Sequence, residues 1–101
     1  MQIAVNQDMG WRLGVVGPLP MRCWDGDYVV YNPLSGNTHV FDIVTGEVLK
    51  VIMTGNVAAA EICQRIAAFL EVPNDVGIAD HVGRILVALD RLALIEPAAG
   101  C

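Results

Sequence analysis

The sequence predicts an α+β domain in which a three-stranded antiparallel meander precedes three helices. Between residues 21 and 41, short runs of β-forming residues are separated by turn-forming residues. After Phe41 the spacing of apolar residues changes from two to about 3.6, which is typical of amphipathic helices. Because the strands come first and the helices follow, we expect the helices to pack on one face of an antiparallel sheet.

Two reversals of the chain define the meander. Asp25-Gly26 separates a short strand at 21–24 from a second strand at 28–31. The tripeptide Ser-Gly-Asn at 35–37 tolerates positive φ and leads into a third strand at 38–41. The sequence therefore predicts consecutive hairpins.

The second hairpin has no polar face. If Asn32 pairs with Asn37, alternate residues fall on opposite faces. One face then carries Tyr28, Val30, His39 and Phe41, and the other carries Val29, Tyr31, Thr38 and Val40. A hairpin on a small domain normally buries one face and exposes the other. We therefore expect the second face to be covered by a bound peptide, by a second subunit or by an extended segment at 11–16.

Three helices are predicted after the meander. The first follows Asp42 as its N-cap and ends at Gly55. The second covers about 58–70 after a cap at Asn56, and the third covers about 76–92. We expect the sheet to pack on the first and third of these helices.

The apolar stripes of the helices define the predicted core. Its members recur at helical spacing: Leu49, Ile52, Ile62, Ile66, Leu70, Val82, Ile85, Leu89 and Leu92. Phe69 is also expected to face inward. The chain, 1–101, is expected to form one domain with flexible ends at 1–10 and 98–101.

Composition limits the function classes. The chain has 101 residues, is 54% hydrophobic and carries a formal net charge of −5. A negative net charge disfavours nucleic acid and anionic membranes as partners, because both select a basic surface. No apolar run approaches the ~20 residues of a membrane span, and residues 1–8 lack the features of a signal peptide, so we expect a cytoplasmic protein. The high apolar content also favours a homodimer.

The sequence contains no recognisable catalytic, cofactor or metal motif. Cys23, Cys63 and Cys101 form no CxxC pair, and neither histidine lies at metal-ligand spacing from them. We expect Cys23 and Cys63 to be buried, reduced thiols and Cys101 to be a free terminal thiol. The sequence therefore predicts a protein that is not an enzyme and needs no cofactor.

The third predicted helix has a basic stripe beside its apolar stripe. At about 100° per residue, one arc of this helix contains His81, Arg84, Ala88 and Arg91. Such a stripe is typical of a solvated face, with arginines near the C-terminal end where cations are favoured. It also suits a partner that carries carboxylates. Both interpretations stay open on the sequence alone.

A family resemblance is carried by the run WDGDYVVYNPLSGNTHVFDIVTGEVLKVI, residues 24–52. This run resembles the start of the PqqD-like peptide chaperones, or RiPP recognition elements. It is most similar to the branch associated with an HPr kinase-related protein, and ALDRLALIEP at 88–97 resembles the close of that branch. With Trp11, the resemblance covers 11–97. It departs at Ile43-Val44-Thr45-Gly46, where the family more often has a proline and alanines.

The resemblance implies a winged-helix-like fold and a PQQ biosynthesis-related function without catalysis. Family members capture the leader of a ribosomally made precursor peptide and present it to a modifying enzyme. The leader lies as an added strand beside the third strand, in a groove walled by the third helix. Carried onto this sequence, the peptide-binding residues are Asn37, Thr38, His39, Val40 and Phe41 on the strand and His81, Arg84, Ile85 and Ala88 on the helix.

The third strand supports peptide binding on independent grounds. Edge strands expose unpaired N–H and C=O groups, which proteins usually protect with charged residues or proline. The run 38–41, Thr-His-Val-Phe, has no Lys, Glu or Pro. Two alternatives stay open: a structural dimerisation module, and a DNA-binding winged helix in which the second and third helices form a helix-turn-helix. The acidic net charge disfavours the second alternative.

Overall fold

Two small sheets and three helices make up this computed structural model, which describes residues 10–14 and 19–98. The elements in chain order are β1 (Gly10–Leu13), β2 (Met21–Trp24), β3 (Asp27–Tyr31), β4 (Thr38–Phe41), α1 (Ile43–Met53), β5 (Val57–Ala58), α2 (Ala59–Leu70), α3 (Val76–Arg91) and β6 (Ile95–Pro97). Both sheets are antiparallel. The predicted α+β class is confirmed, and the arrangement is compatible with a winged-helix-like fold.

The predicted meander is the sheet β2-β3-β4. Asp25 and Gly26 both adopt positive φ, 54° and 88°, which allows a two-residue turn between β2 and β3. The Asn32 N–H donates to the Asn37 carbonyl at 2.9 Å and closes the second hairpin. Val30 is consequently opposite His39, as the predicted pairing of the two asparagines requires.

The second sheet, β5-β1-β6, was not predicted. Trp11 in β1 is opposite both Val57 and Pro97. The Ala98 N–H donates to the Gly10 carbonyl at 2.8 Å, which joins two residues from the ends that the sequence predicts to be flexible. The extended segment expected at 11–16 is confirmed as far as Leu13. The remaining parts of these predictions, at 1–9, 15–16 and 99–101, lie outside the described residues.

Two of the three helices begin after a residue whose side chain caps the helix N-terminus. The Asp42 carboxylate accepts a hydrogen bond from the Thr45 N–H at 2.8 Å, which confirms the predicted cap of α1. Asp75 caps α3 through the N–H groups of its first turn. The predicted cap at Asn56 is wrong, because β5 intervenes and α2 begins after Ala58 without a side-chain cap.

The core lies between the helices and both sheets. All but two of the predicted core residues are buried, the exceptions being Leu70 at 36% and Leu92 at 39% exposure. Phe69, also expected to face inward, is 43% exposed. These three residues lie at the C-terminal ends of α2 and α3. Buried residues that were not among the predicted set include Trp11, Leu19, Val30, Val57, Leu94 and Ile95.

Helix α1 holds the meander through a close contact between Gly46 and Tyr28. The Tyr28 ring lies so near the helix backbone that a Cβ built on Gly46 would overlap it. The Tyr28 hydroxyl donates to the Glu47 carboxylate at 2.6 Å, and Lys50 donates to that hydroxyl at 3.3 Å. The hydrogen bond to Glu47, followed by burial, raises the pKa of Tyr28. The neutral phenol of Tyr28 therefore links β3 to α1 through its hydrogen bond to Glu47.

Helix α3 packs on α2, α1 and β6. The expectation that the meander packs on the first helix is confirmed, because α1 contacts both β3 and β4. The corresponding expectation for the third helix is wrong in detail, since its main strand contact is β6 in the other sheet. The expected burial of Cys23 is also wrong, because it lies exposed on β2, whereas Cys63 is buried as predicted. Cys101 lies outside the described residues.

Candidate peptide-binding edge

Strand β4 forms one edge of the meander. Within the described part of the chain it pairs only with β3, so one row of its backbone groups points away from the sheet. Its sequence contains no charged residue or proline that would block pairing with another strand. The edge is therefore open to strand addition.

The hydrogen bond between Asn32 and Asn37 fixes which backbone groups of β4 point outward. Antiparallel pairs alternate between hydrogen-bonded and non-hydrogen-bonded pairs, so Val30 and His39 form the next bonded pair. Val29 and Val40 do not exchange hydrogen bonds. The Tyr31 N–H supports this alternation, because it donates to the Pro20 carbonyl on the β2 side at 3.0 Å.

It follows that Thr38 and Val40 direct their N–H and C=O groups away from the sheet. Both residues are exposed, Val40 at 66%. The alternate residues His39 and Phe41 are half-buried, and their rings stack with centroids 5.8 Å apart. A peptide at this edge would thus meet the outward N–H and C=O groups of Thr38 and Val40, and the stacked rings of His39 and Phe41 would lie beside them.

Helix α3 approaches both ends of β4. At one end, His81 lies near enough to Asp42 for its charge to contribute to lowering the carboxyl pKa. At the other end, Arg91 and Leu92 line a cavity of about 430 Å³ together with Asn37 and His39. The C-terminal end of α3 therefore shares a cavity with the start of β4, and His81 lies toward the other end of the strand.

The predicted wall residues differ in what they offer to a ligand. His81, Arg84 and Ala88 are exposed, whereas Ile85 is 8% exposed and belongs to the core. Arg84 forms an ion pair with Asp80 at 3.0 Å. This pairing weakens the electrostatic attraction between Arg84 and a carboxylate of a bound ligand. Sequence reasoning placed Arg91 on the basic stripe but did not include it, or Leu92, in the binding set. Arg91 and Leu92 are identified only by their proximity to the hairpin loop, and this proximity is visible only in the tertiary structure.

The Asp42 cap joins β4 to α1 and has a testable pH dependence. The Thr45 N–H is the main cause of its lowered pKa. A carboxyl whose folded pKa is lowered stabilises the fold above its unfolded pKa, and this stabilisation disappears as the pH falls through the folded pKa. We expect Asp42→Ala to cost about 1 kcal/mol of unfolding free energy at neutral pH. The difference from wild type should shrink in acid, below the unfolded pKa of about 3.9.

Chemical denaturation across this pH range measures the effect of the Asp42 cap. Asp42→Asn is the matched control, since asparagine retains a cap acceptor but cannot ionise. A wild-type advantage over Asp42→Ala that persists undiminished at pH below about 3 would contradict the role assigned to the carboxylate.

The second face of the meander is not covered by any described element. It carries Val29, Tyr31, Thr38 and Val40, as the sequence predicted, together with Arg22 and Trp24 from β2. Trp24 is 68% exposed and Tyr31 is 43% exposed. A cavity of about 570 Å³ opens between these two side chains. The sequence left three candidates for covering this face: a bound peptide, a second subunit or the extended segment at 11–16. The described part of that segment does not cover it, because β1 pairs in the other sheet.

The described residues show neither a metal site nor a membrane span. No group of three His, Cys, Asp or Glu side chains in 10–14 and 19–98 is arranged to hold an ion. None of the helices described is long and apolar enough to cross a bilayer. Comparisons with protein-family models, curated proteins and solved structures found no match to this chain.

Proposed function

We propose that this protein is a non-catalytic, cytoplasmic peptide-binding chaperone. An extended leader segment of a ribosomally made precursor peptide adds to β4 as a fourth strand of the meander, and the domain presents it to a modifying enzyme. The observation that carries this proposal is the open edge of β4, where the backbone groups of Thr38 and Val40 point outward near the cavity shared with the end of α3. The resemblance to PqqD-like chaperones supports the same strand as the site of peptide binding.

The edge of β4 suits a peptide whose side chains alternate in chemistry. Residues of an added strand point alternately to the two faces of the sheet. On the α3 side they meet His39, His81 and Arg91, which favour carboxylates. On the other side they meet the exposed Val40, which favours an apolar side chain. An acidic leader with alternating apolar residues is therefore the proposed ligand class.

A DNA-binding function has less support from the same region. The third helix carries two arginines, and Arg84 is already paired with Asp80. Phosphate contacts require free cations, and each contact neutralises one charge. The homodimer remains an alternative at the same edge, since β4 of a second copy offers the same outward groups. Sedimentation at several concentrations distinguishes a homodimer from peptide binding.

Proline substitutions test the assigned direction of the backbone groups. Val40→Pro removes an outward donor and leaves the ladder to β3 intact, which an edge strand tolerates. We expect this variant to fold and to bind its leader at least about tenfold more weakly, because one main-chain hydrogen bond is lost and the ring blocks approach. His39→Pro removes an inward donor and leaves the Val30 carbonyl without its partner, so it should instead destabilise the hairpin by about 1–3 kcal/mol.

Cys23→Pro is the matched control for Val40→Pro. By the alternation of the β2-β3 ladder, Cys23 also directs its N–H outward, but from the opposite edge of the sheet. Binding of peptides encoded by short reading frames beside the gene can be measured by calorimetry with each folded variant. Weakened binding in Cys23→Pro with unchanged binding in Val40→Pro would move the site to β2 and contradict the proposal.

A further inference from the structure

A cavity of about 430 Å³ lies where the hairpin loop between β3 and β4 meets the end of α3. The walls of this cavity, the loop pocket, include Asn32 in the loop, Asn37 and His39 at the start of β4, and Arg91 and Leu92. None of the described residues that line it is acidic. The loop pocket adjoins the open edge of β4, because Asn37 and His39 belong to both.

Asn32 brings an unused hydrogen-bond donor to the loop pocket. The residue is 4% exposed, and its side-chain Oδ1 accepts from the Leu34 N–H at 2.9 Å. Within 10–14 and 19–98, the side-chain NH2 group of Asn32 has no hydrogen-bond partner. Most buried side-chain polar groups in proteins have a partner, so this NH2 group is available to a ligand in the pocket.

Arg91 brings a cation to the same pocket. In the described part of the chain its guanidinium forms neither an ion pair nor a hydrogen bond, whereas Arg84 on the same helix is paired with Asp80. The last carbonyl groups of α3 accept hydrogen bonds from the N–H groups of residues 92–94, so they are satisfied without Arg91. A free guanidinium beside a free amide NH2 group selects a carboxylate.

We propose that the loop pocket binds the side chain of a glutamate in the added leader strand, a role that rests on the proposed function. Arg91 pairs with the glutamate carboxylate through charge-assisted hydrogen bonds, and the Asn32 NH2 group donates to the same carboxylate. Leu34 and Leu92, which also line the pocket, contact the methylene groups of the glutamate. Asn32 and Arg91 are thus specificity-determining residues for the leader.

The strand pairing sets which residue of the leader reaches the loop pocket. Asn37 is bonded to Asn32, so their side chains lie on the same face of the meander as His39. In an antiparallel leader, the residue opposite Asn37 points to that face and comes three residues after the one opposite Val40. The residues opposite Thr38 and Val40 point to the other face. The glutamate therefore lies toward the C-terminal end of the paired segment.

The width of the sheet favours glutamate over aspartate at this position. Across β4, the backbone of the leader residue lies about 10 Å from the backbone of Asn32, at the spacings of an antiparallel sheet. The carboxylate of glutamate stands one methylene group further from its backbone than the carboxylate of aspartate. We therefore expect glutamate, but not aspartate, to come within hydrogen-bond distance of the Asn32 NH2 group.

Titration of the labelled protein with synthetic peptides tests the loop pocket. The probe is a peptide of about eight residues, capped at both ends, that alternates valine with serine and has glutamate in place of the last serine. We expect shift changes at the Asn32 side-chain NH2, at the Arg91 Nε–H and at the N–H groups of Thr38 and Val40. Peptides with glutamine or aspartate at that position, or with the glutamate moved by one residue, should bind at least about tenfold more weakly.

Substitutions at Asn32 and Arg91 test each donor separately. Asn32→Asp keeps the acceptor for the Leu34 N–H and replaces the free donor by a carboxylate oxygen. It should weaken binding of the glutamate peptide at least about tenfold and leave the glutamine peptide nearly unchanged. Arg91→Gln should abolish the preference for glutamate over glutamine. The control is Arg65→Gln, which removes an arginine that is paired with Glu61 on α2 and should retain the preference.

Acetate, titrated at constant ionic strength, separates the loop pocket from strand addition. Shifts at the Asn32 NH2 and Arg91 Nε–H groups that disappear in Asn32→Asp would support the pocket without any strand at β4. Equal affinities of the glutamate and glutamine peptides, with Thr38 and Val40 still perturbed, would overturn the pocket and leave strand addition standing. Acetate shifts at Asn32 and Arg91 without peptide shifts at Thr38 and Val40 would overturn the proposed function and leave the pocket as a carboxylate site.

Discussion

Replacing Leu89 by alanine is expected to lower the free energy of unfolding by about 2–5 kcal/mol. Leu89 is fully buried, 0% exposed, on the face of α3 that meets the rest of the core. Alanine removes the transfer free energy of the lost methyl and methylene groups, and the cavity left behind costs more where the surroundings cannot collapse. The contacts of α3 with α1, α2 and β6 limit that collapse.

The matched control for this prediction is Leu92→Ala. Leu92 has the same chemistry and follows α3 directly, but it is 39% exposed. We expect it to cost clearly less than Leu89→Ala, because part of its surface is already in water. Chemical denaturation with both variants measures the difference. A loss of under about 0.5 kcal/mol for Leu89→Ala would show that this residue is peripheral.

Gly46→Ala is expected to destabilise the protein by about 1–3 kcal/mol, although alanine is the better helix former. In an exposed helix position the exchange would gain about 1 kcal/mol. Here the new methyl group would overlap the Tyr28 ring. Either α1 or β3 must shift, and the hydrogen bond from Tyr28 to Glu47 is disturbed with it.

A double-mutant cycle isolates the contact between Gly46 and Tyr28. In the background of Tyr28→Ala the ring is gone, so Gly46→Ala should become neutral or stabilising. Gly77→Ala in α3 is the control, because its new Cβ meets only the Asp75 carboxylate oxygen, at 3.2 Å. Additive effects of the two substitutions would contradict the claim that Gly46 is required by the Tyr28 ring.

The meander and the helices were predictable because their signals are local. Turn residues at 25–26 and 35–37 fix the reversals, and the asparagine pair fixes the register between β3 and β4. Helical periodicity identified most of the core. The second sheet carries no such signal, since strands as short as Val57–Ala58 and Ile95–Pro97 show no periodicity and pair across long stretches of chain.

The candidate site was predictable in part for the same reason. The absence of charge and proline in 38–41 is visible in the sequence, and the edge position of β4 follows from the order of the strands. The direction of each N–H depends on the observed hydrogen bond at the start of the hairpin. The position of Arg91 beside His39 depends on how α3 packs, which helical periodicity alone does not specify.

Amide hydrogen exchange during leader binding tests the central claim most directly. Strand addition protects only the outward N–H groups, because the inward groups are already bonded to β3. With a leader encoded beside the gene, exchange should slow strongly at Thr38 and Val40 and change little at His39 and Phe41. Slowed exchange at Cys23 with no change at Thr38 and Val40, or protection confined to α2, would contradict peptide binding at β4.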